Sequence, residues 1–246
     1  MDTVPLWKRC LDFDRQDPEH YHDYVLEPLF ELIDGPPRQV LELGCAGGAF
    51  GAALKARFPG VSVTGIDAGR AAAEKARLRL DRVVHARLED VSFSDQGFRH
   101  GEFDTVIAAD ILEHLVNPWE LLVRLKPFLA PRAQIVASIP NLRNLSVVAS
   151  LLLNGRFDYD ERGLLDITHL RFFTLHGIRR LFEETGYVLE QDRAILLPSL
   201  EGVYRSYQGK KGSAMVKLGR LMLSDITPQE LTELCAAQFL TRARSV

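Results

Sequence analysis

Apolar residues along the chain gather in short runs broken by polar stretches, and the spacing within those runs switches between strand-like and helical. Gln39 to Leu43 is an apolar run of buried-strand length, and Ala49, Ala52, Ala53, Leu54 and Phe58 follow it at helical spacing. Val61 to Ile66 reads as a second strand, Ala71 to Leu80 as a crossover helix, and Val83-Val84 as a third strand. Thr105 to Ala109 and Ala133 to Ser138 make a fourth and a fifth, joined by a helix over Pro118 to Leu129. Thr174 caps a helix through Glu184, Gly186 ends it, Tyr187 to Ile195 is a sixth strand, and Gln238 to Ala243 is a terminal one. Upstream, Tyr21, Tyr24, Val25, Leu29 and Ile33 share one side of a helix predicted from His20 to Ile33, stopped by Asp34-Gly35-Pro36-Pro37. Strands alternating with helices predict a doubly wound α/β fold with a largely parallel sheet and helices on both faces.

At 246 residues and 46% hydrophobic, the chain can bury one substantial core, and no low-complexity linker divides it. The expectation is a single domain over residues 1–246, with 1–37 as a helical cap and 198–234 as an insertion before the last strand. A net charge of -3 and a pI near 6.2 give no global pull toward nucleic acid. Arg205, Lys210, Lys211, Lys217 and Arg220 form a local basic cluster, either a solvated face or a receiver for a phosphate or uronate. Cys10, Cys45 and Cys235 are too few and scattered for a disulfide framework or a cysteine zinc site. No signal-peptide pattern opens the chain and no apolar run nears 18 residues, so a cytoplasmic protein without a transmembrane segment is expected. Leu145 to Leu153, the most apolar helix candidate, either roofs a pocket or packs on the core.

The chemistry concentrates at predicted strand ends. Glu42, Gly44, Cys45, Ala46, Gly47 and Gly48 form a glycine-rich strand-to-helix turn, where backbone can approach a ligand closely. The second strand delivers Asp67 nineteen positions after Gly48, the spacing of a carboxylate that accepts from ribose hydroxyls. Two cofactor classes remain, a dinucleotide and S-adenosylmethionine. Glu42 would repel a pyrophosphate and attract the ammonium of S-adenosylmethionine.

The run Val40-Leu41-Glu42-Leu43-Gly44-Cys45-Ala46-Gly47-Gly48 resembles the first motif of the class I S-adenosylmethionine-dependent methyltransferases, Ala46 standing where that family's middle glycine usually lies. The resemblance implies a Rossmann-like seven-stranded sheet of order 3-2-1-4-5-7-6 with the seventh strand antiparallel. S-adenosyl-L-methionine is the implied cofactor, and Asp110 would face its amino-acid portion. Asp110-Ile111-Leu112-Glu113-His114 is similar to the pattern after strand four in many small-molecule methyltransferases, ubiquinone-biosynthesis O-methyltransferases among them. Leu165 to Thr174 together with Ile139 to Asn144 resembles bacterial methyltransferases associated with surface-glycan and O-antigen synthesis. After strand three the family's usual aspartate is replaced by Arg87, leaving the Leu88 amide and Glu89 or Asp90 to read the adenine, while Phe93 reads as a core anchor.

A sugar hydroxyl is a poor nucleophile until deprotonated, which calls for a neutral histidine as base. His169 with Asp166 offers such a pair, and His114 is the other candidate. No spacing among Asp110, Glu113, His114, Asp166 and His169 imposes a metal geometry, and no metal is expected. The expected reaction is methyl transfer to a hydroxyl of a sugar or glycan intermediate. Methylation of an aryl hydroxyl or an amino sugar is the alternative, and a fold acting only as a binding partner is a third reading. Loops should select the acceptor, from Leu145 to Asp160 and from Pro198 to Leu234, with Val216 to Leu223 otherwise an amphipathic helix on the core or against a second copy of the chain.

Overall fold

The protein is described here by a computed structural model, which covers residues 24–207 and 214–245 together with Leu6. Five parallel strands form first: β1 (Gln39–Leu43), β2 (Ser62–Asp67), β3 (Arg82–His85), β4 (Phe103–Ala109) and β5 (Leu129–Pro140). β6 (Tyr187–Leu196) continues the sheet. The hairpin strands β7 (Ala214–Leu218) and β8 (Leu221–Ile226) stand apart, and β9 (Ala236–Ser245) returns between β5 and β6, antiparallel to both. The order is therefore β3-β2-β1-β4-β5-β9-β6, the predicted one with β9 as the seventh strand of the sheet.

Alternation along these strands builds a layer on each face. Val40, Val63, Ile107, Val136 and Leu240 point to the layer holding Leu29, Phe50, Leu54 and Ala76 from the 27–32, 49–57 and 70–76 helices. Leu41, Leu43, Ile66, Val106, Ile135 and Ala137 point to the layer holding Leu121, Leu122, Ile178, Leu181 and Phe182 from the helices Pro118–Leu125 and Leu175–Glu184. Phe93 packs with Phe98 and Phe128 in that second layer, the core anchor expected.

Several predicted boundaries need correction. Among the described residues, the helix predicted from His20 to Ile33 is a 3₁₀ helix over Glu27–Leu32. Tyr24 and Val25 are not helical, and His20 and Tyr21 lie outside the described residues. Pro28 explains the late start, because it has no N–H to give a carbonyl one turn earlier. The crossover helix is Arg70–Ala76, and the helix predicted to Leu129 stops at Leu125 before a 3₁₀ turn over Lys126–Phe128 that contains Pro127. Residues 216–223 are no helix: they form most of the β7–β8 hairpin, with Leu218 opposite Leu221.

The segment before β9 also contains the helices Glu201–Tyr207 and Pro228–Cys235. Leu200, Ala214, Val216, Ile226, Leu231 and Leu234 from this segment cluster with Leu145 from the helix Leu145–Asn154. The apolar 145–154 helix thus packs on the core, the second of the two expected roles. Asn141 and Asn144, each fully buried, tie this layer to the sheet: their side-chain amides donate to the carbonyl of Ala236 at 2.9 and 2.7 Å. No helix among the described residues is long and apolar enough to cross a membrane.

Candidate active site

The carboxyl ends of β1, β2 and β4 carry Glu42, Asp67 and Asp110, the edge at which ligands bind in doubly wound sheets. Glu42 is buried with Oε2 unpartnered. Burial raises its pKa from 4.5 to about 8, opposed by the Gly51 amide and added to by the charge of Asp67. A carboxylate kept this dry and short of a donor suits a cationic ligand group.

The turn after β1 uses most of its own amides. Gly44 and Cys45 donate to the Ile66 carbonyl at 2.9 and 3.1 Å, Ala46 donates to Asp67 Oδ2 at 2.7 Å, and Gly48 donates to the Cys45 carbonyl at 2.8 Å. A phosphate-binding loop would turn such N–H groups toward the ligand, so the geometry disfavours a pyrophosphate independently of Glu42. Gly48 sits at φ +76 with Ala76 Cα 3.1 Å from where a Cβ would lie, which requires glycine there. Ala46 holds φ +45 at the position of the family's glycine, so the turn keeps its shape with a methyl group present.

The roles of three predicted cofactor residues change in detail. Cys45 is buried, burial pushes its thiol pKa up, and its Sγ fills the space over Gly65, so its side chain belongs to the core. Asp67 accepts from the amides of Ala46 and Gly69, at 2.7 and 2.8 Å, and so braces the turn it was expected only to face. Leu88 points into the core, leaving only its backbone for a ligand, while Glu89 accepts weakly from the Val116 amide at 3.5 Å and Asp90 pairs with Arg87 at 3.6 Å.

Asp110 follows β4 in a left-handed conformation, φ +48, and accepts from Tyr24 Oη at 3.0 Å and Ser138 Oγ at 2.6 Å. Tyr24 thus reaches the cleft from the cap segment. The next turn, a 3₁₀ helix over Leu112–His114, is clamped to the 166–171 loop by the Glu113 carbonyl, which accepts from the amides of Leu170 and Arg171 at 2.9 Å each. Arg171 Nε also donates to the Val116 carbonyl at 3.0 Å, pinning the loop as a structural residue would.

This clamp stacks His114 edge-to-face on His169, ring centroids 4.8 Å apart. The expected pairing of Asp166 with His169 is corrected. Asp166 Oδ1 accepts from Thr168 Oγ1 at 2.6 Å, and Thr168 Oγ1 and its carbonyl lie 3.0 and 3.2 Å from His114 Nδ1. Because the threonine proton goes to Asp166, both Thr168 oxygens are acceptors, and His114 carries its proton on Nδ1. Turn geometry is the cause: Asp166 also accepts from the Thr168 amide at 2.8 Å, which folds the carboxylate over residue 168 and away from 169. Burial, then the His114 ring, lowers the pKa of His169 and keeps it neutral at pH 7, the Asp166 charge partly offsetting them. Glu113, beneath them, has its pKa raised well above normal by burial and then by Asp110.

Sequence reasoning missed an aromatic wall beside His169. Phe172 lies 6.2 Å from the imidazole, Phe157 lies 5.5 Å from Phe172, and Tyr159 lies 5.9 Å from Phe157. The Asp160 amide donates to the Leu165 carbonyl at 2.9 Å, and this contact between loops brings Phe157 and Tyr159 to the site. The signal was the aromatic pair at 157 and 159, which has no strand or helix period to belong to. Of the basic cluster, Arg205 pairs with Glu201 at 2.7 Å and Arg220 donates to the Leu153 carbonyl at 2.7 Å. Lys210 and Lys211 lie outside the described residues.

A family profile described as "Methyltransferase domain" matches residues 13–192. The ubiquinone biosynthesis O-methyltransferase, mitochondrial, of Schizosaccharomyces pombe is 35% identical over 119 residues, 47% of this chain. That match spans 43% of the relative, so the chain corresponds to under half of its length. The trans-aconitate 2-methyltransferase of Deinococcus radiodurans is 27% identical over 220 residues, 81% of each chain. The crystal structure of magnesium protoporphyrin IX methyltransferase from Synechocystis PCC 6803, with bound SAH, matches with a TM-score of 0.51 at 14% identity, over 86% of this chain and 75% of that one. The relatives found carry ubiquinone and trans-aconitate in their names, so the surface-glycan part of the resemblance gains no support from them. With the glycine turn, the cation-seeking Glu42 and the strand-end carboxylates all suited to the same ligand, the chain belongs to the S-adenosylmethionine-dependent methyltransferases, and S-adenosyl-L-methionine is its cofactor.

Proposed function

We propose that the chain transfers a methyl group to a ring-borne hydroxyl, foremost on a sugar or glycan intermediate, with the acceptor docked between the His114–His169 pair and the aromatic wall. When bound, S-adenosylmethionine supplies an electrophilic methyl carbon. The chain's own residues then have to hold the acceptor oxygen in line and ease the loss of its proton. Glu42, the 44–48 turn, Asp67, the Leu88 amide, Glu89 and Asp110 are the residues assigned to the cofactor. Glu113, His114 and His169 are assigned to the acceptor hydroxyl, with Asp166 orienting His114 through Thr168.

The observation that carries this reading is the edge-to-face contact of half-buried His114, in the turn after β4, with buried His169 from the 166–171 loop, the second ring held neutral by burial. A carboxylate acceptor such as aconitate is already ionised near pH 7 and needs no help losing a proton. An alcohol or phenol does need it. Phe157, Tyr159 and Phe172 suit the C–H face of a sugar, and they suit an aryl ring equally well, which keeps a phenolic acceptor as the second reading in view of the ubiquinone-pathway relative. A mass-spectrometric screen of nucleotide sugars, lipid-linked glycans, catechols and trans-aconitate tests it by gain of one methyl group. Methylation of a sugar hydroxyl supports the first reading and methylation of a catechol the second, whereas a methyl ester alone overturns both. With the acceptor in hand, His169→Ala should lower turnover by roughly 100-fold or more while leaving SAH affinity near native. Near-native turnover in that variant would remove His169 from the site.

A further inference from the structure

Glu113, His114 and His169 each bring a ligating atom within 4.8 Å of the other two. Both carboxylate oxygens of Glu113, a residue 1% exposed, lack a hydrogen-bond partner, and so does Nδ1 of His169, a residue 7% exposed. Leaving such groups buried and unpaired is unfavourable, so the cluster is incomplete as protein alone. The missing partner has to satisfy an acid and the Nδ1 of one imidazole together, and among the described residues no lysine or arginine forms an ion pair with Asp110, Glu113 or Asp166.

Orientation points the same way. His114 is held through Nδ1–H by Thr168, itself anchored on Asp166, which makes Nε2 the nitrogen this ring can offer to a cation. A carboxylate or hydroxyl fixing the far nitrogen of an imidazole is the usual support behind a metal-ligating histidine. We propose that Glu113, His114 and His169 bind one divalent transition-metal cation, with open coordination positions turned toward the acceptor hydroxyl. Two imidazoles and one carboxylate suit Zn²⁺, Mn²⁺ or Co²⁺, whereas Mg²⁺ prefers an all-oxygen shell. Ligand bonds of about 2.0–2.2 Å bring donors to about 3–4 Å from one another, a closure that side-chain rotation supplies. The cation would acidify the hydroxyl it binds, so that the O–H bond breaks with its proton leaving to water, and the oxygen's electron pair bonds the methyl carbon as the S–CH₃ bond breaks, its pair passing to sulfur and S-adenosylhomocysteine leaving. The inference rests on the reading of this cluster as the acceptor's docking point.

The test uses the full chain, stripped with a chelator and titrated with CoCl₂ by visible absorption and with ZnCl₂ by calorimetry. One equivalent should bind, with a visible band for Co²⁺. Glu113→Gln and His169→Ala should each weaken binding at least 10-fold, and His176→Ala, on an exposed helix face, should not. SAH affinity and the melting midpoint of each variant, read on the same samples, report whether it is folded. No stoichiometric binding, or equal affinity in folded Glu113→Gln and native protein, overturns the site. If stripping and re-adding metal leave turnover unchanged while His169→Ala abolishes it, the cation role falls and the docking point stands. If metal binds at these residues but no hydroxyl acceptor emerges from the screen, the site stands and the acceptor reading falls.

Discussion

Asp67 shows how a single side chain can serve two purposes that a sequence pattern reports as one. Its spacing from Gly48 marked a ribose acceptor, yet its oxygens also hold the Ala46 and Gly69 amides. Asp67→Ala should therefore weaken SAH binding by about 1–3 kcal/mol and also loosen the turn. Asp67→Asn, which keeps one acceptor oxygen, should fall between the two. Calorimetry ranks the three proteins, and equal affinities would remove Asp67 from the cofactor site. Glu42 gives a pH prediction. Its folded pKa is about 8 against an ordinary value of 4.5, a raised acid, so its contribution to stability is complete below about 4.5 and is lost as pH rises through about 8. Between pH 5 and 9 the cofactor-free native protein should lose stability relative to Glu42→Gln, which cannot ionise there, in denaturant melts. A constant difference would mean that Glu42 is ionised throughout. A cationic ammonium favours the ionised form, so cofactor binding near pH 7 should release a proton, measurable as a dependence of binding heat on buffer. The carboxylates were legible because their strand-end spacing is local. The Asp166–Thr168–His114 chain was not, because it depends on a turn and on contact across 54 positions.

Elements were legible where one period dominated and were misread where two competed. β1, β2, β4 and the Leu175–Glu184 helix carry clean apolar patterns, with Thr174 capping the helix as read by accepting from the Gly177 amide at 3.2 Å. The 216–223 stretch places Val216 inward and Met215 and Lys217 outward, an alternation that a helical reading of its leucines obscured. Gly219 at φ +57 supplies the left-handed residue that a two-residue hairpin loop needs. Packing between elements yields a further test at Gly51, in the Ala49–Arg57 helix. A Cβ there would lie 2.5 Å from Leu80 Cδ2 and 2.6 Å from Glu42 Oε2, so the helix sits on the sheet too closely for any larger residue. Gly51→Ala should cost about 1–3 kcal/mol by overpacking, despite alanine's better helix propensity. Urea unfolding decides the sign: a stabilised variant would show that the helix can lift without penalty.

At the scale of the whole molecule, the sheet and its strand-end carboxylates form one part, and a layer built from the 145–154 helix and residues 198–235 forms another. Their interface has its own buried cluster, and the layer is tied back at Asn141 and Asn144. Asn141 and Asn144, within the Ile139 to Asn144 stretch, secure the returning chain ahead of β9, a role independent of the acceptor. We propose that acceptor choice belongs to the side chains that layer presents. Leu151, Leu152, Tyr159, Met215 and Met222 are large, apolar and exposed on it or beside it. Replacing residues 202–224 with a short flexible linker removes most of the hairpin, with its buried Ala214 and Val216, yet leaves β1, β2 and β4 and their carboxylates untouched. SAH affinity should stay within a few-fold of native, since no residue assigned to the cofactor lies in the segment. Turnover of the native acceptor should disappear, or the range of methylated hydroxyls should widen, in the same mass-spectrometric screen. Unchanged turnover and unchanged range would assign acceptor choice to the Phe157–Tyr159–Phe172 wall alone. Loss of SAH binding would instead show that the two layers fold as one cooperative unit, with the hairpin needed to hold the cofactor edge of the sheet in shape.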